Sequence, residues 1–146
     1  MVAKFRPASM DDVSTIVEIE KATNLIPWTK AQFISSMEVG HYSTVLLHQT
    51  EIIGYAIFSP IIPESHLLNI AINPMHQGQG LGKKLLQKVI NQNKIIGVKV
   101  LSLEVRVSNH TAISMYEKSG FTKDAIRPEY YSGNPKEDAL LMSLRF

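Results

Sequence analysis

Three glycines stand at alternate positions, Gly78, Gly80 and Gly82, within Asn73-Pro74-Met75-His76-Gln77-Gly78-Gln79-Gly80-Leu81-Gly82-Lys83-Lys84. Glycine allows positive φ, or lets a ligand approach where a Cβ would collide. An apolar run, Leu67 to Ile72, leads into this stretch. Leu81, Leu85, Leu86, Val89 and Ile90 leave it as one helical face. A strand, a glycine turn and a helix start together present unpaired N–H groups at the positive end of a helix dipole. Such a place suits an anion, most often a phosphate, although the same composition also serves a helix start that holds no ligand. Lys84 follows Lys83 where a Walker A loop needs Ser or Thr to hold magnesium. The third glycine comes one residue too early for a dinucleotide fingerprint. The spacing does fit Gln-x-x-Gly-x-Gly, read as Gln77, Gly80 and Gly82.

A second group of residues can move protons. Glu104 interrupts an otherwise apolar and small-residue strand, where a carboxylate either serves as a general base or pairs with Arg106 or a lysine. Asn109, Ile113 and Tyr116 follow at i, i+4 and i+7 and share one helix face. Asn109 either caps that helix or hydrogen-bonds a ligand, and Tyr116 is either core or a hydroxyl at the rim of a site. Trp28 suits packing or the wall of a groove. Tyr130 and Tyr131 fall in a Pro-flanked loop, and as neighbours they cannot both face one core, so at least one is expected to be exposed.

The elements that must position these groups are legible in order. Val2 to Arg6 reads as a first strand. Ser9 and Asp12 have capping-box spacing ahead of the stripe Val13, Ile16 and Val17, a helix fading near Asn24. Pro27-Trp28 interrupts, and Thr29 with Gln32 caps a second helix ending by Gly40. Ser43 to Leu47 and Ile52 to Phe58 form a hairpin, its second arm ended or bent by Pro60 and Pro63. His66 to Ile72 is a third strand, followed by the glycine turn and a helix to about Lys94. Val98 to Val107 alternates, with Leu101, Leu103, Val105 and Val107 on one face and Val100, Ser102, Glu104 and Arg106 on the other. Ser108 is expected to cap a helix ending near Gly120, and Phe121 to about Ala125 with Asp138 to Phe146 close the sheet. This order predicts an α/β fold, a mixed and mostly antiparallel sheet with one strand–helix–strand crossover.

Composition narrows the function classes. At 146 residues, 45% apolar and 19% charged, the chain suits one soluble domain over residues 1–146. A net charge of +2 without a basic run gives no reason to expect nucleic acid. With no cysteine, disulfides and thiol catalysis are excluded. Five histidines, at 41, 48, 66, 76 and 110, lack ligand-like spacing, so no metal is expected. No signal peptide or membrane-length apolar run stands out, and a cytoplasmic location with no membrane partner is the default expectation. A monomer is favoured.

Gln77, Gly80 and Gly82 resemble the acetyl-coenzyme A signature of the GCN5-related N-acetyltransferase (GNAT) superfamily. Further fragments resemble its bacterial ribosomal-protein-alanine N-acetyltransferases: Pro27-Trp28, Asn69-Ile70-Ala71-Ile72, Leu103 to Asn109, Ala112 to Phe121, Tyr130-Tyr131 and Glu137-Asp138-Ala139. Gln77 stands where arginine is also common, and Thr29 where serine often follows the tryptophan. The resemblance implies the GNAT acyl-CoA N-acyltransferase fold, with about four helices and a parallel strand pair that splays to admit the cofactor. It implies acetyl-CoA as co-substrate, its pyrophosphate held by Gln77, Gly78, Gln79, Gly80, Leu81, Gly82 and Lys83, with Asn109 adding a hydrogen bond. Backbone N–H groups of Ile70, Ala71 and Ile72 would hold the thioester carbonyl. Glu104 is then the base, Tyr116 the acid, and Trp28, Tyr130 and Tyr131 the substrate wall. The implied acceptor is a protein's N-terminal alanine amine, foremost that of small-subunit ribosomal protein eighteen. A lysine or small-molecule amine as acceptor, or a non-catalytic acetyl-CoA-binding regulatory domain, are the alternatives. Glu104 and Tyr116 argue against the last, since a binding module needs neither.

Overall fold

Strict alternation in one strand shows how the sequence builds its layers. In β5 (Val100–Arg106), Leu101, Leu103 and Val105 are buried while Val100, Ser102, Glu104 and Arg106 are half-buried. The computed structural model describes residues 3–146 and places β5 inside a seven-stranded sheet of order β1-β2-β3-β4-β5-β7-β6. The other strands are β1 (Lys4–Pro7), β2 (Tyr42–His48), β3 (Glu51–Ile61), β4 (Glu64–Ile72), β6 (Thr122–Tyr131) and β7 (Glu137–Arg145). The helices are α1 (Val13–Thr23), α2 (Lys30–Glu38), α3 (Leu81–Ile95) and α4 (His110–Lys118). Every strand pairing is antiparallel except β4 with β5, which are joined through α3.

Successive strand residues point to opposite faces, so each face carries its own core. Leu46, Ala56, Phe58, Leu101, Leu103 and Val105 pack with Leu85, Leu86 and Val89 of α3 and Ile113 and Tyr116 of α4. Val45, Tyr55 and Ile57 pack with Val13, Ile16 and Val17 of α1 and Phe33 of α2. The expected caps form at Thr29, which accepts from the Gln32 N–H at 3.2 Å, and at Ser9 with Asp12. No helix among the described residues is long and apolar enough to cross a membrane.

Four expectations need correction or limits. Val2, placed in the first strand, lies outside the described residues. β3 is not ended by Pro60 but runs through it to Ile61, because β2 stops opposite Phe58 and a proline beyond that point has no donor to give on that edge. Asn109, not Ser108, caps α4: its Oδ1 accepts the Ala112 N–H at 3.2 Å, while the Ser108 N–H donates to Glu137 at 2.9 Å. Tyr130 and Tyr131 are not in a loop. β6 continues past Ala125 to Tyr131 as an edge strand, and its register slips between Arg127 and Tyr131, where Pro128 and the positive-φ Glu129 (φ 50°) form a bulge.

Candidate active site

The glycine turn is closed by its own side chains. Gln77 Nε2 donates to the carbonyl of Ile72 at 3.0 Å, and Asn73 Oδ1 accepts the Met75 N–H at 3.0 Å. Gly78 (φ 78°) and Gly80 (φ 77°) take left-handed backbone that L side chains adopt only at a cost. A Cβ at either would meet no protein atom within 4 Å, so the turn's outer face is open. Gly80 caps α3, whose first N–H groups therefore aim outward at its positive end. Beside it runs a groove of about 490 Å³ lined by Lys83 of α3 and His110, Thr111, Ser114, Met115 and Lys118 of α4.

The strand feeding this turn parts from its neighbour. β4 and β5 pair only over Glu64–His66 with Val100–Ser102. From Leu67 to Ile72 the edge of β4 toward β5 therefore has no strand partner, and it includes Ile70, Ala71 and Ile72. The β3–β4 register also slips, Ile57 facing Asn69 and Phe58 facing Leu67, which leaves Leu68 as a bulge residue.

Glu104 lies on β5 just beyond the last paired residue. It does not pair with Arg106 or a lysine. Its Oε2 meets His66 Nε2 of β4, and His66 Nδ1 lies 3.4 Å from Ser102 Oγ. Arg106 turns instead to Glu137 (3.4 Å) and over the Tyr131 ring (4.3 Å to its centre). The Tyr131 hydroxyl is pushed up to about 12, first by burial and then by the negative charge of Glu104, with smaller contributions from Tyr130 and Glu137 and an opposing one from Arg106. Burial also raises the pKa of Tyr116, and Tyr131 adds to the effect. The Tyr131 hydroxyl thus feels Glu104 on one side and acts on Tyr116 on the other. Tyr130 stands edge-on to Tyr131 at 5.0 Å and is exposed, as expected for one of the two.

Trp28 is half-buried against Phe33, with ring centres 5.0 Å apart. What fixes its loop is a residue that the sequence reading missed. Glu20 of α1 is fully buried, and its carboxylate accepts from Tyr55 Oη (2.6 Å), the Trp28 backbone N–H (2.9 Å), Asn69 Nδ2 (3.1 Å) and Asn24 Nδ2 (3.3 Å). It therefore ties the Trp28 loop to β4 one residue before Ile70. The signal was present: Val13, Ile16, Val17 and Glu20 occupy i, i+3, i+4 and i+7, so an acid sits on the apolar stripe. His66 was noted only as a scattered histidine, because its partner lies 38 residues away.

The sequence pattern of the Acetyltransferase (GNAT) family matches residues 13–121. The chain belongs to this family. The [ribosomal protein bS18]-alanine N-acetyltransferase of Escherichia coli strain K12 is 36% identical over 134 residues, covering 91% of this chain and 90% of that one. The crystal structure of the ribosomal-protein-S18-alanine N-acetyltransferase from Escherichia coli superposes with a TM-score of 0.93 at 33% identity, over 99% of this chain and 94% of that one. At 24% identity, yncA of Salmonella typhimurium, a putative acetyltransferase solved with its cofactor acetyl-CoA, shares the fold with a TM-score of 0.82, over 99% of this chain and 94% of that one. As a GNAT acetyltransferase, the chain has acetyl-CoA as co-substrate, and its residues fit that molecule. The Gly78–Lys83 turn offers N–H groups and a lysine to a pyrophosphate, and the unpaired edge of β4 offers amides to an extended amide-bearing arm. Asn109 Oδ1 accepts the cap N–H, and its amide N–H groups point to no protein acceptor among the described residues and suit a ligand.

Proposed function

We propose that this chain moves the acetyl group of acetyl-CoA to the N-terminal alanine amine of a protein, ribosomal protein bS18 being the acceptor, by direct attack within one complex. The observation that carries this reading is the carboxylate of Glu104 at the point where β4 and β5 part, near the Tyr131 hydroxyl of raised pKa. Its support is the identity with relatives named for that reaction. Gln77, Gly78, Gln79, Gly80, Leu81, Gly82, Lys83 and Asn109 hold the cofactor. Trp28, Tyr130 and Tyr131 border the acceptor's path.

The chemistry asks little of the base. An α-amine has a pKa near ~7.7–8.0, so roughly a tenth is neutral at pH 7, whereas a lysine near ~10.4 is under about a thousandth neutral. The gap of roughly 2.5 units is about 3 kcal/mol in favour of the N-terminal amine. Glu104 takes the proton that the attacking nitrogen gives up. Of the Ile70, Ala71 and Ile72 N–H groups, those of Ile70 and Ile72 face away from β3, on the edge opposite the Asn73 N–H that bonds Ile53, and stabilise charge on the thioester oxygen. Tyr116 donates to the departing sulfur. Burial makes it a weaker acid than an exposed phenol, so it acts through its hydrogen bond rather than by complete proton transfer. A chain without cysteine offers no thiol to carry the acetyl group.

Tyr116→Phe is expected to lower kcat by roughly 10²-fold, the lower end of acid–base effects, with acetyl-CoA affinity nearly unchanged in calorimetry. If kcat also stays at the wild-type value, the tyrosine is only core. The reading as a whole is tested with two peptides, one beginning with a free alanine and the other N-blocked and carrying a lysine. The free-alanine peptide should be acetylated faster. Faster acetylation of the blocked peptide would assign the chain to lysine or other amines.

A further inference from the structure

Glu104 works against a gap. A free carboxylate near ~4.3 is a weak base for an ammonium near ~8, so its availability and aim matter. Among the described residues, its one ion-pair partner is His66. His66 and Ser102 are the last pair of the short β4–β5 ladder, and Glu104 follows on the same face of β5. The imidazole thus spans the vertex from which the strands diverge.

We propose that His66 is a positioning residue for Glu104, clamping one carboxylate oxygen so that the other faces the acceptor amine. The proposal rests on Glu104 being the base. Ser102 stands behind the ring. Its hydroxyl is 3.4 Å from Nδ1 and 3.3 Å from the carbonyl of Ser65.

Other charges nearby are accounted for. Arg106 on β5 is engaged by Glu137 and the Tyr131 ring. Glu64, two residues before His66 on β4, lies at the strand end and is exposed. Tyr131 of β6 and Tyr116 of α4 both have raised pKa values and stay neutral through the range in which an imidazole titrates. The β3 residue opposite His66 is Ser59 and the β7 residue opposite Glu104 is Leu141, neither of which titrates near neutral pH.

The test compares wild type with His66→Gln, which keeps an N–H donor, and His66→Leu, which has none. Glu104→Gln serves as a control, and kcat is read with saturating free-alanine peptide beside acetyl-CoA affinity.

His66→Gln should approach the wild-type kcat. His66→Leu should be about tenfold slower, with acetyl-CoA affinity within about twofold of wild type. A wild-type kcat in both His66 variants, with Glu104→Gln inactive, would overturn the role of His66 and leave the base in place. An active Glu104→Gln would instead remove the base itself. If His66→Leu fails to fold, His66→Asn, whose shorter side chain draws the donor back from the carboxylate, is read in its place.

Discussion

Glutamine in place of Glu104 is expected to lower turnover near neutral pH by about 10²- to 10⁴-fold, the range found for a positioned acid–base group. Acetyl-CoA affinity should be preserved, because the contacts proposed for the cofactor lie on the glycine turn and the edge of β4. The change is isosteric, and the amide oxygen still accepts from His66, so a fall in rate reports lost basicity rather than lost shape. The defect should shrink as pH rises past the amine's own pKa, near ~8, because the acceptor then arrives neutral. Recovery should be partial, since the nitrogen must still shed a proton after attack. Equal turnover of variant and wild type at every pH would mean that another group, or water alone, serves as base.

Leucine in place of Glu20 is expected to cause the largest loss of stability among the single changes considered. It strips the acceptor from the buried Tyr55 hydroxyl, the Trp28 N–H and the Asn69 amide at once. A buried donor left unpaired costs about 1–3 kcal/mol, so a total of roughly 3 kcal/mol or more follows. For a domain of this size that is a fall in Tm of roughly 6–12 °C. Adding Tyr55→Phe should recover part of it, because removing both partners costs less than removing one. Freed from β4, the Trp28 loop should also raise the KM for peptide more than that for acetyl-CoA. A thermal melt of the three proteins checks this, and an unchanged Tm in Glu20→Leu would contradict the buried cluster.

The parts of the molecule legible from sequence are those whose signal is local. The stripe of α3, the alternation of β5 and the glycine spacing each lie within a few residues, and together they locate the turn, the strand–helix–strand crossover and Glu104, while the splay of the strand pair comes only from the family resemblance. What sequence reading missed depends on partners from elsewhere. Ser108 and Asn109 are equally good caps by type, and Glu137 of β7 decides between them by taking the Ser108 N–H. A proline such as Pro128 ends most strands, yet on an edge with a bulge it is tolerated, so β6 runs on to Tyr130 and brings Tyr131 against Arg106. His66 meets Glu104 only because a crossover lays β4 against β5. Glu20 was the exception, a local signal passed over: an acid on an apolar stripe asks where its donors are.

The central claim is that the divergent strands hold the thioester beside a base suited to an N-terminal amine. The most direct test is incubation of purified, unacetylated bS18 with this chain and acetyl-CoA, followed by mass spectrometry of the intact protein and of its N-terminal peptide. The result expected is one added acetyl group, on the α-amine of the first alanine. A protein left unmodified, or one acetylated on lysine with its N-terminus still free, would contradict the account.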